Sequence, residues 1–87
     1  MNVNDKLFEK GVSLGKALKN KDNKHYAKNR LHNVLEPYVT INDKIECLLE
    51  FAVNCDKELP MEIIGGENRE KDIEVYIAGV VNGLNKK

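Results

Sequence analysis

Apolar residues return every three or four positions in four separate stretches of this chain, and that spacing most restricts what it can fold into. A period near 3.6 lines up one face of a helix, whereas a strand would alternate at every second residue. The first stretch runs from about Asn4 to Asn20 and carries Leu7, Phe8, Gly11, Val12, Leu14, Gly15 and Leu18. Gly11 and Gly15 lie one turn apart. Each costs about 1 kcal/mol of helix propensity relative to alanine, and a close helix crossing would repay it. A weak, frayed helix is the alternative.

The polar run Asn20-Lys21-Asp22-Asn23-Lys24 is a loop with Asp22 or Asn23 as helix cap. The second helix turns Tyr26, Ala27, Leu31, Val34, Leu35 and Tyr38 inward and stops near Leu35, because Pro37 biases Glu36 away from helical backbone. Thr40 with Asp43 three residues on has capping-box spacing and opens a third helix over 41–55, with Ile41, Ile45, Leu48, Leu49, Ala52 and Cys55 inward. Pro60 at a first-turn position starts a short helical piece that Gly65-Gly66 ends. Asn68 caps a last helix from Arg69 to about Leu84, inward at Ile73, Tyr76, Ile77, Val80, Val81 and Leu84. A strand around Val75 is the second choice there. The expectation is an all-α fold: one domain over residues 1–87, a small helical bundle of four long helices plus one short helical turn.

Composition supports folding and narrows function. Hydrophobic residues at 41% and charged residues at 32% belong to a globular chain and not to a disordered one. A chain of 87 residues has no room for a deep cleft between two domains, and its modest core would gain from a partner surface. No apolar run approaches the roughly 20 residues of a membrane span, and the first residues lack a signal peptide's apolar stretch, so a cytoplasmic protein is expected.

Chemistry finds few footholds. His25 and His32 are two helical turns apart, too far to share one metal. They read as solvated or rim positions. Ser13 is the single serine and has no histidine in local spacing, so a hydrolytic triad has no support. Cys47 and Cys55 would lie about 12 Å apart along one helix, which forbids a bridge, and they read as small buried hydrophobes. Glu46 with Glu50 and Glu70 with Glu74 read as solvated helix faces. Gly65-Gly66 follows no buried strand and lacks the lysine and hydroxyl of a P-loop. The expectation is therefore a protein that is not an enzyme and has no catalytic residue, metal or cofactor.

Charge is what remains. Fourteen basic residues balance fourteen acidic ones, but residues 1–30 hold eight cations against three acids, a net +5, which leaves −5 for the rest. Lys16, Lys19, Lys21, Lys24, Lys28 and Arg30 span the end of the first helix, the loop and the start of the second. Such a ridge contacts phosphates without reading base edges, and Tyr26 and the two histidines would add stacking on unpaired bases. The plainer reading is that these lysines keep a small bundle soluble. A helix-turn-helix over 24–55 is also conceivable, but Pro37-Tyr38-Val39-Thr40 makes a poor tight turn for it.

One order of features is more specific. Phe8-Glu9-Lys10-Gly11 with Gly15 is followed by Arg30-Leu31-His32-Asn33-Val34-Leu35 and by Glu58-Leu59-Pro60. The chain closes on Tyr76-Ile77-Ala78-Gly79-Val80-Val81-Asn82-Gly83-Leu84. This resembles, over nearly the whole chain, the C-terminal helical domain of the large subunit of type I-B CRISPR Cascade, a segment also made separately as the small subunit in related systems. A chain opening at Met1 fits the separate version. The resemblance implies an antiviral-defence protein: a non-catalytic subunit that packs along a crRNA-guided complex and stabilises the crRNA–target duplex and the displaced DNA strand. Its implied partners are other Cascade subunits, crRNA and the target or non-target DNA backbone, with self-association in tandem and no membrane. The six cations of the ridge would meet the phosphates, and the acidic half from Asp43 to Glu74 would face neighbouring subunits. The alternative expectation is a helical interaction adaptor, or a phage or plasmid regulator, that binds no nucleic acid.

Overall fold

A computed structural model describes residues 3–20, 24–36 and 38–85, with backbone alone for Val3, Asn4 and Lys24. The described residues form five helices and no strand: α1 Val3–Asn20, α2 Lys24–Val34, α3 Ile41–Asn54, α4 Met61–Gly65 and α5 Arg69–Asn85. Four are long and one is a single short piece, the all-α bundle that periodicity predicts.

Local chemistry sets the boundaries. Thr40 has extended backbone, and its Oγ1 accepts a hydrogen bond from Asp43 N at 3.2 Å, capping α3. At the other end of α3, Asp56 takes a left-handed φ of 54°. Its N–H donates to Val53 O at 3.2 Å and that of Lys57 donates to Ala52 O at 2.8 Å. This pair of bonds is the Schellman pattern, in which glycine is usual at the left-handed position. Asp56→Gly is therefore expected to stabilise the chain by about 1 kcal/mol, raising the melting temperature by roughly 4–8 °C in thermal unfolding. Pro60 stands just outside α4, as its cap, and not inside the first turn.

The first and last helices form the backbone of the bundle. α1 and α5 make its most extensive pairing, and all four glycines at their crossing are buried. A Cβ placed on Gly11 would lie 3.1 Å from Gly79 Cα and 3.0 Å from Val80 N, and would run into the Tyr76 carbonyl oxygen. One turn on, a Cβ on Gly15 would lie 2.9 Å from Gly83 Cα and would run into the Val80 carbonyl oxygen. Gly79 and Gly83 meet Phe8 and Val12 in the same way. Position rises together on both helices, so they run in the same direction where they cross. Small residues four apart on both partners let the two backbones touch. The propensity cost of Gly11 and Gly15 is repaid as the spacing predicts.

Leu7, Leu14 and Leu18 of α1 and Ile73, Ile77, Val80 and Leu84 of α5 share one core with Ala27, Leu31, Leu48, Phe51 and Ile63. Several inward assignments need correction. Tyr26 is 48% exposed, Leu35 53%, Tyr38 81% and Leu49 42%. The stripe α2 turns to the core is only Ala27, Leu31 and Val34, so Tyr26 sits at its edge; α2 ends at Val34, and residues beyond leave its face. On α3 the buried set is Cys47, Leu48, Phe51 and Ala52, a face rotated away from Leu49, and it includes the fully buried Phe51 that the inward list omits. Cys47 and Cys55 are buried and are not disulfide-bonded, as expected of small hydrophobes.

Candidate nucleic-acid interface

The six cations predicted to form one ridge are distributed unevenly. Lys16 is exposed on α1, and Lys19 is half-buried near its end. Lys21 lies outside the described residues. Lys24 is the first residue of α2, and Lys28 is exposed one turn later. His25 and His32 are exposed too, and the spacing of 25, 28 and 32 puts the three on one side of α2. This basic face, with Lys16 of α1, is the part of the ridge open to a ligand.

Arg30 points elsewhere. Its Nη2 donates to Glu50 Oε2 at 3.1 Å across the α2–α3 contact, and its Nε is buried with no hydrogen-bond partner. The same carboxylate accepts from the Tyr26 hydroxyl through Oε1 at 2.6 Å. That bond, donated by the phenol to an anion, raises the Tyr26 pKa above its ordinary value. Tyr26 and Arg30, one turn apart on α2, thus clamp Glu50 of α3 and are drawn away from a role on the basic face. Glu50 keeps 41% of its side chain exposed, as its spacing from Glu46 predicts, and it also takes partners from α2. Only a residue from another helix gives it partners, so nothing in its local sequence announces the role.

The rest of the chemistry is quiet. Cys47 lies under this clamp, where burial pushes its thiol up to about 11 against the opposing pull of Arg30. Among the described residues no three of His, Cys, Asp and Glu gather in a metal-binding group, and no helix is long and apolar enough to cross a membrane.

Fold and surface together define a small all-α bundle, locked by a glycine crossing, with a basic face on its second helix. Comparison with protein-family models, with curated proteins and with solved structures finds no match to this chain.

Proposed function

We propose that this chain is a non-catalytic small subunit of a crRNA-guided Cascade complex, a cytoplasmic antiviral-defence protein that contacts nucleic-acid backbone without reading sequence. The observation that carries the reading is the placement of His25, Lys28 and His32 on one side of α2, with Lys16 exposed on α1. The resemblance adds support: its glycine motifs, Gly11 with Gly15 and Gly79 with Gly83, are the residues that join the first helix to the last. Guide pairing would read the sequence, and this chain would supply cations and structure. A balanced net charge makes a single copy a weak binder, and arraying it in a complex would supply the affinity.

Titration of single-stranded DNA at about 50 mM and about 200 mM salt tests this. Three phosphate contacts give a slope near −2 in log–log terms, so affinity should fall about twentyfold. Reversing Lys16, Lys24 and Lys28 to Glu should abolish most binding at low salt and leave the melting temperature unchanged. An unchanged binding curve in that variant would count against the reading, and co-purification with a guide-bound complex would support it directly.

A second reading, a helical adaptor or phage or plasmid regulator with no nucleic-acid ligand, is favoured by one observation. Leu35, Tyr38, Leu49, Val53, Met61 and Ile64 are all exposed, Val53 at 72% and Met61 at 75%. Absence of DNA binding at both salt concentrations would select it.

A further inference from the structure

A groove of about 240 Å³ lies between α2 and the last turns of α5, and it has cations in its wall but no carboxylate. The larger grooves beside α1 carry Glu9, or Glu58 and Glu62, with their lysines. The floor between α2 and α5 is aliphatic. Leu31 and Leu84 are buried there, Val81 is half-buried, and Leu35, just past the end of α2, is 53% exposed.

Lys28 and His32 stand one turn apart on α2, both exposed, and the Asn85 carboxamide adds a neutral donor from α5. Other donors of the chain are already held: Lys57 by Ser13, and Arg30 by Glu50. Among the described residues neither Lys28 nor His32 has a side chain to hold it. The ammonium of Lys28 is a fixed positive charge, and the His32 imidazole donates in either protonation state.

Uncompensated positive charge beside bare aliphatic surface selects a ligand with both complements. A cation would be repelled by Lys28, and a bare anion would leave the leucines uncovered. An unpaired nucleobase would find no aromatic ring on the floor, and Tyr26 is turned to Glu50. The volume lies below the roughly 300–1,000 Å³ of sites for drug-sized ligands, so the apolar body is short. We propose that the groove binds a short aliphatic chain with one anionic head group, carboxylate or phosphate, the head on Lys28 and His32 and the chain along Leu35, Val81 and Leu84. The site does not rest on the Cascade reading: binding is expected whether or not the chain binds DNA.

Amide NMR titrations of the full chain with sodium octanoate and with octyl phosphate test this and tell the two head groups apart. Saturable shifts at residues 28–35 and 81–85 are expected with at least one of them, with a Kd on the order of millimolar. From butanoate to hexanoate to octanoate, affinity should rise about fivefold at each step as two more methylenes leave water. Octylammonium has the same tail and the opposite charge and should leave these amides unmoved. Lys28→Gln and Leu35→Ser change exposed side chains and should still fold, and each should weaken the preferred anion about fivefold. Lys16→Gln, outside the groove, should not. Absence of a saturable shift with both anions, an equal response to octylammonium, or undiminished affinity in both Lys28→Gln and Leu35→Ser would overturn the proposal.

Discussion

Gly15→Ala is expected to destabilise the chain by about 3 kcal/mol or more, lowering its melting temperature by roughly 12–24 °C in thermal unfolding followed by circular dichroism. On an open helix surface the same change would stabilise, since alanine is the better helix former by about 1 kcal/mol. At the crossing the new methyl meets the Val80 carbonyl oxygen and the backbone of Gly83 and Leu84, and backbone cannot rotate aside as a flexible side chain can. The two helices must separate, and Leu14, Leu18, Ile77 and Val80 lose their fit with them. Gly11→Ala should behave alike, because it meets Tyr76, Gly79 and Val80 in the same geometry. Gly65→Ala is the internal control. No heavy atom lies within 4 Å of its added Cβ and its φ is not left-handed, so it should be neutral or stabilising by up to about 1 kcal/mol. Gly15→Ala melting with the parent would refute the crossing as the element that holds the bundle together.

The second large effect is on the alkaline side. Burial holds the Cys47 thiol near 11 in place of 9.0 and the Tyr76 phenol near 12 in place of 10.0. Both groups fold in the neutral form, so both folded pKa values lie above the unfolded ones, and as pH rises the unfolded chain gives up its protons first. The contribution is complete below about pH 9 and is lost between pH 9 and 11 for Cys47 and between pH 10 and 12 for Tyr76. At about 1.4 kcal/mol per pH unit, a two-unit shift removes up to roughly 3 kcal/mol per group, together a large share of the stability of a small domain. The urea midpoint should hold steady from pH 7 to 9 and fall steeply by pH 11. In the double variant Cys47→Ala, Tyr76→Phe the fall from pH 9 to 11 should be much shallower, whatever its midpoint at neutral pH. An equal fall in parent and variant would assign base sensitivity to other groups.

Sequence reasoning reaches the basic face only in part. Lys24 and Lys28 share a helix, so their alignment follows from spacing alone once α2 is recognised. Arg30 carries the same charge two residues later, yet a rotation of about 200° about the helix axis turns it to α3, where Glu50 holds it.

Periodicity, prolines, polar breaks and the Thr40 cap by themselves determined that this chain is helical and, to within a residue or two, where its helices begin and end, since those preferences act within a turn or two of backbone. The glycine pair on α1 also required a close neighbour. Which helix that neighbour would be, that Gly79 and Gly83 would face the pair in the same direction, that Phe51 would be core and Leu49 surface, and that Arg30 would leave the basic ridge for Glu50 were settled only in three dimensions. A helical stripe states that it must be covered, and its covering is chosen by how the whole chain returns upon itself to bury the most apolar surface.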